Sequence, residues 1–461
     1  MKGGNKILIM GCFIGLAGGT SCMAASKKRP NIILINIDDL GWSDVQYNDA
    51  GHYYETPNID RLRQSGVNFS YAYAGAANSA PSRACLLSGQ NTPRHGVYTV
   101  SPPDRGRAED RRLVPYPNCE VLDSTFITLP QALQKLGYHT CHIGKWHIGY
   151  NPLAQGMDVN IGGNHAGHPA SYFSPYKNPD LQDGPEGEYL MDRLSREAEN
   201  YIDTVDRSRP FFLYYASYAV HAPLQAKAEL VEKYRKKKTS DAHFNPVYAA
   251  MVENMDMSVG RILDAVERNG LTGNTLVVFT SDNGGPYEIS HQWPLRAGKG
   301  SFYEGGIRIP FIVYMHGKYE GGKETTVPVS HLDLYPTFVE FAGGRKDKSL
   351  DGLSLLPLLD KGKEDYLNER SLYFHFPAYL ENGNVETRDR LFRTRPVSVL
   401  IKDGWKLIEN YEDGVLELYD VRNDVSERFD RAGDEPVRTK CMLEQLNSWK
   451  QREKASIPMF K

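Results

Sequence analysis

The sequence predicts a mixed α/β fold: a large, mostly parallel sheet sandwiched by helices, with a smaller C-terminal α+β subdomain. Three observations predict it. Short apolar runs alternate with helical patterns between residues 31 and 280, the mark of βαβ units. Four of those runs end abruptly in charged or amide residues. After about Leu359 the alternation gives way to closely spaced short strands.

Taken in order, the chain opens with Lys2 and Lys6 ahead of the apolar run Ile7–Ala17. This run is short for a membrane span, and residues 1–24 read as a signal peptide. Gly19-Thr20-Ser21-Cys22 loosely resembles a lipoprotein box. Cleavage before Cys22 gives a lipid anchor and cleavage near Ala24 a soluble exported protein; both stay open. Asn31–Ile37 is a β-branched run, like a buried parallel strand, and Asp38-Asp39 follow at once. A helix is expected at Leu129–Leu136. A strand at Tyr138–Ile143 then leads into Gly144-Lys145-Trp146-His147. The pattern repeats with a helix at Tyr189–Val205, a strand at Phe211–Ser217 and then His221. The longest helix, Val247–Arg268, precedes a strand at Leu276–Thr280 that runs into Asp282-Asn283. Ligands of such sheets bind beyond the carboxyl ends of the strands, so four polar strand ends of complementary charge point to one site.

Residues 28–359 are read as the catalytic domain and 360–461 as the subdomain. Within the latter, Ser398–Ile408 reads as a hairpin turning on Asp403-Gly404. Leu416–Asp420 continues the sheet and Ala432–Lys450 supplies a closing helix. At 461 residues the chain is too long for one compact core. A net charge of −3 lacks the basic excess of a nucleic-acid binder. Of the six cysteines, Cys12 and Cys22 lie in the leader. Cys85, Cys119, Cys141 and Cys441 form no Cys-x-x-Cys pair, so spacing gives neither a zinc nor a redox signature. A disulfide is compatible with export, but the sequence does not fix its pairing.

The chemistry-bearing residues group as follows. Asp38, Asp39, Asp282 and Asn283 offer hard oxygen ligands suited to Ca²⁺ or Mg²⁺ rather than zinc. Ser79 stands one helical turn before Arg83 in Ser79-Ala80-Pro81-Ser82-Arg83, and a helix is expected from Ser82 onward, its amide end favouring an anion. Lys145 and His147, two apart in an extended segment, face one side. His221 precedes Ala222-Pro223, and Lys299 lies in a glycine-rich loop, Gly298–Pro310. Singly, each reads equally well as a turn, a cap or a solvated side chain.

Together these segments, in this order from Pro30 to about Asp430, resemble the type I, formylglycine-dependent sulfatases of the alkaline-phosphatase-like superfamily. Ser79 matches the formylglycine precursor, and Pro81 and Arg83 match the signature read by the maturation enzyme. The resemblance implies that Asp38, Asp39, Asp282 and Asn283 bind Ca²⁺, with the oxidised Ser79 side chain beside the metal. It implies that Arg83, Lys145 and Lys299 hold the sulfate and the nucleophile. The formylglycine hydrate would attack sulfur, His221 protonate the departing alcohol, and His147 assist expulsion of sulfate. A serine precursor further implies an anaerobic radical-SAM maturation enzyme as partner, an anaerobic or facultative bacterium, and a periplasmic or cell-surface location.

The substrate expected from the resemblance is a sulfated saccharide, attacked in an exo fashion. Galactose or N-acetylgalactosamine is favoured, with the ester at 4-O. His165 and His168, in the Gly- and His-rich segment Asn160–Pro169, and Trp293 and Arg296, just before Lys299, are the candidate sugar contacts. Two other readings remain: a phosphodiesterase or phosphonate hydrolase of the same superfamily, and a sulfated-glycan-binding protein without turnover.

Overall fold

The computed structural model describes residues 29–461 apart from 50, 52, 101, 240–242 and 320, together with Met1 and Gly3. The predicted leader, including Cys22, lies outside the described residues. Among the described residues, no helix is long and apolar enough to cross a membrane.

The large sheet has eight strands: β1 (Asn31–Ile37), β2 (Val67–Phe69), β3 (His139–Gly144), β4 (Val159–Ile161), β5 (Phe211–Ala216), β6 (Thr275–Ser281), β7 (Phe311–Tyr314) and β8 (Lys323–Thr325). Their order across the sheet is β8-β2-β7-β6-β1-β5-β3-β4. All neighbours are parallel except β7, which runs antiparallel to β2 and β6. Strand β1 is central and wholly buried, so it needs apolar residues on both faces, and its Ile-Leu run supplies them. Ile33, Ile35 and Ile37 join one core, whereas Ile32 and Leu34 join the other. This is the period-2 alternation of a strand between two helical layers.

The helices that matter for the site are α1 (Ser79–Ser88), α2 (Leu129–Lys135), α3 (Leu190–Thr204) and α4 (Pro246–Arg268). Helices α3 and α4 cover the first core and α1 and α2 the second. Helix α1 corrects one expectation: it begins at Ser79, not at Ser82. Pro81 falls in its first turn, where a missing N–H breaks no intrahelical bond. Gly89 closes the helix in the left-handed conformation, φ 66°. All ten residues of α1 are buried.

The C-terminal sheet is antiparallel, β9 (Leu372–Phe376), β10 (Val397–Lys402), β11 (Trp405–Asn410) and β12 (Leu416–Asp420), in that order. The β10–β11 turn is the expected Asp403-Gly404, with both φ angles positive, 52° and 80°. One face packs Phe374, Phe376 and Val399 on Phe302, Tyr303 and Ile307 of the large unit. The other packs Leu400, Leu407 and Leu418 under α5 (Pro436–Arg452) through Met442, Leu446 and Trp449. Between the two units, Lys406 is fully buried and contacts Glu304 at 2.7 Å and Glu427 at 2.9 Å. Cys85, Cys119, Cys141 and Cys441 are all free thiols.

Candidate active site

Strands β6, β1, β5 and β3 are adjacent and parallel, and their C-terminal ends lie level. Ile37 pairs with Ser281, Asn36 with Ala216, and Ala216 with Gly144. The residues that follow therefore emerge at one edge. Asp38, Asp39 and Asp282 bring one carboxylate oxygen each within 4.8 Å of the others, and all three are buried. The loop after β6 must hug its neighbour: a Cβ on Gly284 would lie 1.8 Å from the Gly305 carbonyl oxygen, so only glycine fits there.

Ser79, first residue of α1 and 2% exposed, donates its hydroxyl toward Asp38 Oδ1 at 3.1 Å and Asn283 Oδ1 at 3.3 Å. Lys145 Nζ grips both oxygens of Asp38, at 2.8 and 2.7 Å. Lys299 Nζ binds Asp39 Oδ2 at 2.7 Å. Arg83 donates from Nε to Asp282 Oδ2 at 2.9 Å and from a terminal nitrogen to the Lys145 carbonyl at 3.0 Å. Asn283 Nδ2 donates to Asp39 Oδ1 at 2.8 Å. Three carboxylates and three cations are thus packed together at the sheet edge.

Burial, then the neighbouring carboxylates Asp282 and Asp39, push Asp38 up to about 8 against the pull of Lys145. Burial also acts to raise Asp39 and Asp282. Lys299 and His221 outweigh it at Asp39, and Arg83 and Lys145 outweigh it at Asp282, so both sit below the usual carboxylate range. Carboxylate-rich, oxygen-only and buried, with Asn283 Oδ1 turned to the same centre, this donor set fits a hard divalent cation.

A cleft of about 540 Å³, within the range of small-molecule sites of roughly 300–1,000 Å³, opens above this floor. Ser79, Asp39, His147, His168, His221 and Lys299 line it. His221 donates from Nδ1 to the Ala222 carbonyl, 2.8 Å away, so Nδ1 carries the proton and Nε2 faces Asp39 Oδ2 at 3.6 Å. Burial and then the Lys299 charge push His221 down to about 3. His147 is held well below the ordinary histidine range by burial and by Lys145 and Arg83, and its buried Nδ1 has no hydrogen-bond partner.

The sequence-predicted residues divide clearly. Ser79, Lys299, His147, His221 and His168 reach the cleft. His168 lies parallel to the His221 ring, centroids 5.9 Å apart. Lys145 and His147 do not share a face through extended geometry: His147 has φ 67°, so the chain turns at it. Arg83 and Lys145 lie beneath the carboxylates, both fully buried, with their contacts to Asp282 and Asp38 rather than to the cleft. His165 rests on Tyr150, 4.6 Å between centroids. Trp293 is 56% exposed outside the cleft wall. Arg296 stacks on Tyr303 at 3.8 Å and gives its donors to the Glu386 and Glu427 carbonyls and the Tyr419 hydroxyl, so its guanidinium is a strut between the two units.

Sequence reasoning missed the outer wall. Arg105, Glu288, Glu381, Asn382 and Arg393 line the cleft beside the predicted residues. No motif marks them, because they come from three segments far apart in sequence.

Comparison with known proteins follows the same lines. The family model described as Sulfatase matches residues 30–344. The model described as N-sulphoglucosamine sulphohydrolase, C-terminal, matches residues 296–452. A sulfatase of Formosa agariphila is 32% identical, over 95% of this chain and 90% of its own. The N-acetylgalactosamine-6-sulfatase of Mus musculus is 32% identical, over 76% of this chain and 70% of its own. Among solved structures, Ps i-CgsB in complex with k-i-k-neocarrahexaose is 31% identical with a TM-score of 0.75, covering 92% of this chain and 93% of its own. The fold alone is also shared with the phosphonate monoester hydrolase of Agrobacterium radiobacter, at 19% identity, with a TM-score of 0.67 and coverage of 92% and 96%.

Proposed function

The chain belongs to the sulfatase family and is a sulfuric ester hydrolase; from that premise we propose that it removes a sulfate ester from a carbohydrate, exo-acting on a galactose or N-acetylgalactosamine unit. The observation that carries this reading is a serine hydroxyl at the N-terminus of a buried helix, held against a three-carboxylate cluster at the foot of a cleft. The name of the mammalian relative supports a galactosamine-type sugar, and the neocarrahexaose complex supports a saccharide substrate. The 4-O position is the proposed site on the ring. The 6-O ester, named for the mammalian relative, is the alternative, separated by offering the 4-O and 6-O esters of the same sugar in the assay below.

Asp38, Asp39, Asp282 and Asn283 are the proposed Ca²⁺ ligands; when bound, the ion supplies positive charge beside the nucleophile and the sulfate oxygens. Ser79 is the proposed formylglycine precursor; oxidised, its side chain would supply a nucleophile that can be regenerated after the ester is cleaved. The chain's own side chains do the rest. Lys299 and His221, on the cleft wall, hold the ester. Arg83 and Lys145, assigned from sequence to sulfate and nucleophile, here orient Asp282 and Asp38. His221 delivers a proton from Nε2 to the departing sugar oxygen. Burial and the Lys299 charge lower its pKa, and a sulfate ester held beside it favours the protonated ring and raises it. His147 is the proposed second acid/base group. The oxygen-only ligand set, lacking metal-binding histidines, favours sulfate over the two-metal phosphoester reading. Export through the leader, the anaerobic maturation enzyme and the division at residue 359 belong to the same proposal.

The test is sulfate release by a Ser79→Cys variant, since in this family common aerobic hosts mature cysteine but not serine. With Ca²⁺ present, sulfated galactose, N-acetylgalactosamine, glucosamine and fucose are compared with phosphate esters, using Ser79→Ala as the blank. Release from a galactose-type sugar, absent in Ser79→Ala, is expected. No sulfate from any sugar, with formylglycine confirmed by mass spectrometry, would overturn the reading.

A further inference from the structure

The outer wall of the cleft is built by chain segments far from the catalytic motifs. Tyr379 N donates to the Pro103 carbonyl at 2.8 Å, and Asp104 pairs with Tyr379 in a short parallel bridge. Leu380 then pairs with Thr394 and Glu381 with Phe392, antiparallel, with a bulge between Leu380 and Glu381. Asn382 continues with φ 65°, its N–H on the Leu391 carbonyl at 3.0 Å. Bulges re-aim side chains and occur beside functional sites. This one brings Glu381 to the cleft, next to Arg105 at 3.6 Å. Across from it Arg393 meets Glu288 at 3.5 Å and donates to the Lys299 carbonyl at 3.4 Å, tying the wall to the Lys299 loop.

Both pairs are long and partly exposed, with side chains between 23% and 47% accessible, and all four side chains line the cleft. Two arginines offset two glutamates, so the wall offers acceptors and donors without net charge. That chemistry suits neutral hydroxyls, which both donate and accept, rather than a second sulfate or a carboxylate.

We propose that Glu381 and Arg105, aimed by the bulge, bind neighbouring hydroxyls of the sugar ring that carries the sulfate, with Glu288 and Arg393 as the opposing pair. This inference rests on the carbohydrate sulfatase reading and names the side chains that select its sugar. The experiment compares Glu381→Gln and, as a second variant on the more exposed pair, Glu288→Gln with the parent, all in the matured Ser79→Cys protein. The probes are whichever sulfated monosaccharide of the four the parent hydrolyses, and 4-nitrophenyl sulfate, which has no sugar hydroxyls. For Glu381→Gln, kcat/KM on the sugar sulfate falls about 10- to 100-fold more than on the aryl sulfate, the size expected for losing a hydrogen bond to a charged group. The loss appears mainly in KM. For Glu288→Gln the same split is smaller. Equal losses on both probes in both variants, or no loss, overturn the inference and leave the sulfatase reading intact. A parent that hydrolyses the aryl sulfate and none of the sugars overturns the carbohydrate reading instead.

Discussion

At the floor of the cleft, charges of opposite sign meet at 2.7–2.9 Å with side chains at most 17% exposed; at the rim they meet at 3.5–3.6 Å and are partly solvated. The floor's three carboxylates and Lys145 follow the ends of adjacent strands, so their geometry is inherited from the sheet, and Arg83 of α1 and Lys299 pack against them. The rim is assembled from segments 103–105, 288 and 379–394, held by a bridge and a bulged strand pair. Chemistry that needs preorganised charge belongs on the rigid, dry part. Recognition that differs between sugars belongs on loops, which change without disturbing the sheet.

The largest effect that tests this contrast is His221→Ala, at the boundary of the two regions. If His221 protonates the leaving oxygen, sugar-sulfate hydrolysis falls by roughly 10²–10⁴. Aryl-sulfate hydrolysis falls much less, because a phenolate leaves without help. Comparing kcat/KM on the two esters checks this, and equal losses would remove His221 from that role.

A second effect separates floor from rim by acid. His142 and His331 lie behind Arg83, both pushed by burial to about 3. His331 contacts Ser82 Oγ at 3.2 Å and Thr280 Oγ1 at 3.1 Å, bracing α1 against β6. The unfolded chain takes up these protons as pH drops below the ordinary 6.5 and the folded protein does not. Their stabilisation is therefore complete above 6.5 and is lost progressively toward pH 3. Thermal melts between pH 7.5 and 5 should show a falling Tm, with a shallower slope in His331→Gln. A Tm independent of pH over that range would contradict the bracing role.

The smallest effect is Trp293→Ala. Exposed outside both regions, it should change kcat/KM on the sugar sulfate less than about twofold, as surface substitutions usually do. A tenfold loss would extend the rim to include it.

The same contrast explains what the sequence could disclose. Strand ends are legible because a buried parallel strand is an uninterrupted apolar run, and Asp38 or Asp282 breaks it at once. Lys145 and His147 were legible as residues but not as geometry, since nothing in Gly144-Lys145-Trp146-His147 announces the positive φ at His147. Arg296 looked like a sugar contact because it precedes Lys299. Its true partners lie 90 and 131 residues further on, beyond the reach of local pattern. Glu381 was invisible for the same reason: its position depends on pairing with segments whose register only the folded chain defines.

The burial of α1 has a consequence for the order of events in biosynthesis. Pro81 and Arg83 are enclosed, and Ser79 meets only the cleft, beneath a sheet edge completed by Asp282 some two hundred residues later and a Lys299 loop fastened by Lys406 and Glu427 later still. An enzyme that modifies Ser79 by reading its neighbours must meet them as an extended, unfolded segment. The final tertiary contacts would then act as a deadline: once they close, Ser79 keeps its opening to the cleft, but Pro81 and Arg83 beside it can no longer be read.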